Sequence, residues 1–255
     1  QILDMILYYI QGFEKTTSDM LHTSIEGPPG VGKSKLGRIL AHIYHALGVI
    51  PSKRFKRVRR TDLIGKYLGH TAHKTQEIID EAEGGVLFID EAYSLGNQEK
   101  RDSFSKEAID MLNQYLSERK GEFMFIIAGY EEDLNSCLFS YNKGMRRRFH
   151  SHYKIKGYES KELKDIFMRK LGQTLYSTDI SEQNLITFFA DNKAQFPYFG
   201  GDIEKLLNEI KQCQSLRSFN SNSKDKKIIL SDMTLALKNM EDKDNSNSPP
   251  WGMYV

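Results

Sequence analysis

The chain has 255 residues, with 36 Lys and Arg against 34 Asp and Glu for a formal charge of +2, so no global field compels a nucleic-acid partner. That length can bury a full core as one large domain, or as one domain plus a smaller one, and the second division is the one the sequence pattern favours. No run approaches the roughly 20 apolar residues of a membrane span, and Cys137 and Cys213 are too few for a disulfide framework and lack metal-ligand spacing, which points to a reducing, cytoplasmic compartment.

In chain order, Ile2 to Ile10 is strongly apolar and interrupted only by Asp4. It lacks the basic start and small-residue cleavage site of a signal peptide, so a buried helix is expected. A start at Gln1 rather than Met reads as a piece of a longer protein. Leu21 to Glu26 is expected to be a strand, although Thr23-Ser24-Ile25-Glu26 is less apolar than a buried parallel strand usually is.

Next comes Gly27-Pro28-Pro29-Gly30-Val31-Gly32-Lys33-Ser34, followed by Lys35. The spacing G-x-x-x-x-G-K-[ST] between a strand and a helix is that of a phosphate-binding loop. Glycines let successive backbone N–H groups turn around phosphate oxygens without a Cβ clash, and the following helix N-terminus adds its positive dipole. The pattern implies binding of a nucleoside triphosphate: Lys33 would reach the β- and γ-phosphates and Ser34 would ligate Mg²⁺. Leu36, Ile39, Leu40, Ile43, Tyr44 and Leu47 then recur at helical spacing, and that helix is predicted to end near Gly48.

Lys53 to Arg60 carries six cations around Phe55 and Val58. The alternation fits a strand with cationic stems lying over its neighbours; phosphate contact by nucleic acid is the less favoured reading. Gly84-Gly85 opens Val86-Leu87-Phe88-Ile89, an apolar run of the kind found in buried parallel strands, which ends on Asp90 and Glu91. Beside the phosphate loop, Asp90 would hold Mg²⁺ directly or through water and Glu91 would polarise the attacking water. A helix from about Ser105 to Glu118 and a strand from Phe123 to Ala128 follow. Strands alternating with helices predict an α/β parallel sheet whose ligand sits at the carboxyl ends of the strands.

From about Ser160 the periodicity becomes helical, through Leu163, Ile166, Phe167 and Leu171, then Leu185, Phe188 and Phe189, then Ile203, Leu206, Leu207 and Ile210. Ile228 to Leu230 reads as a short strand before a last helix. The expected organisation is therefore a nucleotide-binding α/β domain over 1–155, a small mainly helical domain over 156–240, and a polar, Pro-containing tail over 241–255 expected to be mostly disordered.

Four stretches together resemble the AAA+ ATPases, and within them the CbxX/CfqX group that includes red-type rubisco activases and stage V sporulation protein K relatives. They are GPPGVGKS at 27–34, DLIGKYLGHTAHKTQEIIDEAEGGVLFIDEAYSL at 62–95, IIAGYEEDL at 126–134 and NKGMRRRF at 142–149. The phrases LFSYNKG and GGDIEKLL are most similar to members from large DNA viruses. The resemblance implies a P-loop parallel sheet flanked by helices, a helical lid domain, and a homo-hexameric ring that uses ATP to pull a protein substrate through a central pore. It places Lys66, Tyr67 and Leu68 in the pore loop, with Tyr67 as the gripping aromatic. It places an arginine finger, offered to the ATP of a neighbouring subunit, at Arg148 first and Arg146 second. The first sensor falls on Gly129 or Tyr130. Where the family's second sensor has an Arg, this chain has Asp202 or Ile203, with Lys205 as a substitute; robust hydrolysis is therefore less secure than binding. Two rivals remain: a nucleic-acid-dependent loader, and a nucleotide-binding scaffold with little turnover.

Overall fold

A computed structural model describes residues 2–11, 21–65, 67, 69–96, 102–119, 123–222 and 225–246. Residues 247–255 of the expected tail over 241–255, and Lys66 and Leu68 of the expected pore loop, lie outside the described residues. The chain forms two compact units, Gln1–Pro28 with Gly32–Lys156, and Pro29–Val31 with Gly157–Val255.

The first unit contains, in order, α1 (Ile2–Gln11), β1 (Thr23–Glu26), α2 (Lys33–Ala46), β2 (Phe55–Val58), α3 (Arg60–Leu63), α4 (His70–Glu81), β3 (Val86–Ile89), α5 (Ser103–Glu118), β4 (Met124–Gly129), α6 (Glu131–Asp133), α7 (Lys143–Arg146) and β5 (Ser151–Lys154). Its five strands are all parallel in the order β2-β3-β4-β1-β5. Parallel pairing requires crossovers, and helices on the two faces bury both sides of the central strands. Val86 and Phe88 of β3 face a core with Leu40 and Tyr44 of α2, whereas Leu87 and Ile89 face a second core with Ile79 of α4 and Ile109 of α5. This two-sided burial is why β3 and β4 read as unbroken apolar runs.

β1 reaches the same burial with polar residues, because they satisfy one another. Thr23 Oγ1 donates to the Leu21 carbonyl at 3.2 Å, and Ser24 Oγ to Glu26 Oε1 at 2.9 Å. His152 Nδ1 of β5 lies 3.1 Å from the same carboxylate oxygen.

The expectation of a buried first helix is corrected. No residue of α1 is fully buried. Ile2, Met5 and Tyr9 pack on the core beside Tyr44, while Leu3 and Ile10 on the other side are 68% and 65% exposed. Only one face of this helix meets the core.

The second unit holds α8 (Ser160–Leu171), β6 (Ser177–Thr178), α9 (Glu182–Asp191), α10 (Gly200–Asn220), β7 (Lys227–Ile228) and α11 (Leu230–Ser246). Leu163, Phe167, Phe189, Phe196, Leu206 and Met233 form its core. Ser181 caps α9 by accepting from the Asn184 amide at 3.2 Å. Arg217 grips Asp232 with Nε at 2.9 Å and Nη2 at 3.0 Å, which ties α10 to α11. β6 and β7 pair in parallel as a two-residue clasp. Among the described residues no helix is long and apolar enough to cross a membrane.

Candidate functional site

β1 and β4 run side by side and end together at Glu26 and Gly129. The turn leaves β1 at Gly27, whose amide donates to the Gly129 carbonyl at 3.1 Å. A Cβ at Gly27 would lie 2.5 Å from the Ile155 carbonyl oxygen, so only glycine fits there. Gly30 (φ 75°) and Gly32 (φ 90°) take left-handed conformations that turn the loop into α2. α2 then starts at Lys33 with no side chain capping its first amide groups, the arrangement that suits an anion at a helix N-terminus.

α2 lies close against β3 because Gly37 has no side chain; a Cβ there would sit 2.8 Å from the Phe88 ring. That proximity brings Ser34 Oγ within 3.1 Å of Asp90 Oδ2, just past the end of β3. The Asp90 amide donates to the Val58 carbonyl at 3.2 Å, which anchors the strand end to β2. Glu91 is the next residue, exposed and in the left-handed region (φ 52°, ψ 44°), where the chain turns sharply into the 3₁₀ turn Ala92–Leu95. A non-glycine residue held there costs about 1–3 kcal/mol and is a feature of functional sites.

Lys33 Nζ donates to the carbonyls of Gly27 and Pro28, both at 2.8 Å, and lies 5.3 Å from the Tyr130 ring centre. Burial lowers its pKa, while Asp90 and Glu91 act in the opposite direction. The Tyr130 ring is 5.7 Å from that of Tyr93. A cavity of about 580 Å³ lies beside the loop, lined by Glu26, Gly27, Pro28, Tyr130, Glu131 and Lys154 among others.

The structure thus brings Lys33, Ser34, Asp90 and Glu91 to one place. A hydroxyl and a carboxylate oxygen 3.1 Å apart fit Mg²⁺, a hard cation usually held by one or two protein oxygens together with phosphate and water. Lys33 and the uncapped start of α2 fit the phosphates. Pro28 and Pro29 are half-buried in the loop, Val31 is buried and Lys35 is exposed.

The arginines divide. Arg148 is directed inward: Nε donates to Ser117 Oγ at 2.8 Å and Nη1 to the Gly144 carbonyl at 2.9 Å. Arg146 is exposed, bonds Asn135 and lies 5.6 Å from the Phe139 ring centre. Arg147 is exposed too. Both Arg146 and Arg148 are thus bonded within their own chain, and what separates them is that Arg146 is exposed and Arg148 half-buried.

Of the second-sensor candidates, Ile203 is fully buried in the second unit's core and cannot act as a polar sensor. Asp202 is also buried, with Oδ2 accepting from the Tyr198 amide at 2.6 Å. Lys205 is exposed, 5.8 Å from the Tyr198 ring centre and 3.4 Å from Asp202 Oδ1. Tyr67 is 67% exposed and meets the His70 ring edge-on at 5.4 Å.

Sequence reasoning missed Arg57, which pairs with Asp90, and the half-buried Glu26–His152 contact at 3.1 Å. The first had one signal, the shared side of Phe55 and Arg57 on an alternating strand.

Residues 24–156 match the family described as "ATPase family associated with various cellular activities (AAA)". The chain is 43% identical over its whole length to "Putative cfxQ-like protein R730" of Acanthamoeba polyphaga mimivirus, covering 64% of that protein. It is 35% identical to "Protein CfxQ" of Xanthobacter flavus over 79% of this chain and 64% of that one. It is 34% identical to "Ribulose bisphosphate carboxylase/oxygenase activase, chloroplastic" of Cyanidioschyzon merolae, over 80% of this chain and 67% of that one. The chain thus spans 64% of the length of the first two relatives. A match over more than half the chain, on the segment that carries the phosphate loop and both strand-end carboxylates, places this chain in the AAA ATPase family.

Proposed function

We propose that this chain binds ATP with Mg²⁺ at residues 27–35 and Asp90, hydrolyses it, and couples the cycle to remodelling of a protein. The observation that carries the reading is the convergence of Ser34 Oγ on Asp90 Oδ2 at 3.1 Å, with Lys33 and Glu91 beside them. Ser34 and Asp90 would hold Mg²⁺, which supplies charge neutralisation on the phosphate oxygens. Lys33 leaves the Gly27 and Pro28 carbonyls for the phosphates, and Glu91, exposed on its left-handed turn, orients water for attack.

The coupling rests on fewer supports. Tyr67 presents its ring to solvent beside His70, as a residue that grips an extended chain must. Arg146 is the exposed arginine with a positioned guanidinium, and we assign it the role of finger toward a neighbouring copy in a homo-hexamer. The relative named as an activase of ribulose bisphosphate carboxylase/oxygenase supports a protein as the substrate.

Nucleic acid is less supported, because three cations of the basic segment pair with carboxylates of this chain, Lys56 with Glu81, Arg57 with Asp90 and Arg60 with Asp102, and Arg54 bonds the Glu81 carbonyl.

Phosphate release and nucleotide binding by Lys33→Ala and Glu91→Gln test the core of the reading. The first substitution is expected to abolish binding; the second is expected to keep binding and stop turnover. Normal turnover in Glu91→Gln would remove Glu91 from the mechanism, and nucleotide bound by the unaltered chain without phosphate release would favour a scaffold.

A further inference from the structure

Arg57 stands on the edge strand β2, in register with Phe88 of β3 and therefore two residues short of Asp90 along the neighbouring strand. Residues two apart on a strand share a face. Phe55, on the face of Arg57, packs against Phe88 with ring centres 5.2 Å apart, and Arg38 of α2 lies 5.5 Å from its centre. Arg57 thus projects on the α2 side of the sheet, where Ser34 also lies. Its Nη2 donates to Asp90 Oδ2, the oxygen that already accepts from Ser34 Oγ. The pair is unevenly exposed, with Arg57 41% and Asp90 13% accessible, so the carboxylate is the better shielded partner.

A carboxylate oxygen that accepts from a hydroxyl and a guanidinium together has little lone-pair capacity left, and the guanidinium charge opposes the approach of another cation. We propose that Arg57 is a positioning residue of the nucleotide site that sets how strongly the site couples divalent metal to nucleotide. It fixes the orientation of Asp90 and competes with the metal for Oδ2, so the coupling is weaker than Asp90 alone would give. The proposal rests on the reading of residues 27–35 and Asp90 as a Mg²⁺–nucleotide site.

The test measures the dissociation constant of a fluorescent ADP for the full chain in EDTA and in excess Mg²⁺, and takes the ratio of the two. Arg57→Ala is expected to raise that ratio about fivefold or more, and Arg57→Gln, which keeps a shorter polar side chain without the charge, is expected to follow it. Arg57→Lys, which keeps the charge, is expected to stay near the unaltered chain. In an Asp90→Asn background, removing Arg57 is expected to leave the ratio unmoved. A ratio that is unchanged or lower in folded Arg57→Ala and Arg57→Gln overturns the proposal. So does a loss of affinity in EDTA at an unchanged ratio, since Arg57 would then be a phosphate ligand. If the unaltered chain binds nucleotide under neither condition, the failure belongs to the nucleotide-site reading instead.

Discussion

His22 offers a test of the fold beneath the loop. It is 1% exposed, packed among Phe123, Phe125 and Phe149 with ring centres 5.9–6.3 Å away. Its Nδ1 accepts from the Phe125 amide at 3.2 Å, and the Leu116 backbone lies on hand as a weaker partner for the ring. Nδ1 therefore carries no proton, and protonation would oppose two N–H groups as well as bury a charge. Burial, opposed by the hydrogen bond to the Leu116 backbone and joined by the nearby His150 and Arg148, lowers the pKa from 6.5 to about 4. A group whose folded pKa is depressed binds fewer protons in the native state than in the unfolded one, so its contribution is complete above pH 6.5 and is lost as pH falls toward 4. At about 1.36 kcal/mol per pH unit, the whole effect is roughly 3 kcal/mol, and about 2 kcal/mol of it disappears between pH ~7.5 and ~5. Other groups titrate in that window, so the measure is the difference from His22→Asn, whose side-chain oxygen can accept from the same amide but does not ionise. Urea unfolding followed across that range is expected to show the steeper acid loss in the unaltered chain. Parallel slopes for the two proteins would refute the argument.

Gly37→Val puts carbon into space the Phe88 ring occupies, and is expected to cost about 1–3 kcal/mol in urea unfolding and to weaken nucleotide binding by moving Ser34 from Asp90. Arg148→Ala removes the bonds to Ser117 and Gly144 and is expected to lower stability by about 1–3 kcal/mol, seen as a lower thermal midpoint, whereas Arg146→Ala leaves the midpoint within a degree or two and suppresses ATP turnover only under assembling conditions. Equal midpoints for the two arginine variants would contradict their division into internal and exposed. Tyr67→Ala is expected to keep basal ATP turnover and lose substrate-coupled work; unchanged remodelling would remove it from the pore.

Much of the sheet was legible because its central strands are buried on both faces, which leaves β3 and β4 no room for polar residues. The edge strand β5 carries Ser151-His152-Tyr153-Lys154 and shows no such run, so nothing in the sequence announced it. α4 was hidden for another reason: two of its four buried positions are Thr71 and Thr75, which break the apolar stripe. At the site, Lys33 and Ser34 were expected from their spacing in the glycine loop and Asp90 from its place after an apolar strand, and the structure sets the three near one another. Arg57 depends on how β2 pairs with β3, and three consecutive arginines look alike until a residue as distant as Ser117 claims one of them. The helices of the second unit followed their periodicity, but the buried Ile203 shows that a position expected to carry a sensor can belong to the core.

Charge at the loop also bears on assembly. Around Asp90 this chain supplies two cations, Lys33 and Arg57, against two carboxylates, Asp90 and Glu91, so its own side chains sum to zero. A Mg²⁺-bound triphosphate arrives with net negative charge, and what remains to meet it locally is the dipole of α2, worth roughly half a charge. Within its own chain Arg148 is engaged by Ser117 and Gly144. A guanidinium brought by a second copy, with Arg146 as its exposed source, would close the balance where charge accumulates during phosphoryl transfer. On that argument turnover should rise more steeply than in proportion to protein concentration, while nucleotide binding should not. A specific activity independent of concentration across the range in which the oligomer forms would mean that the chain balances the charge alone.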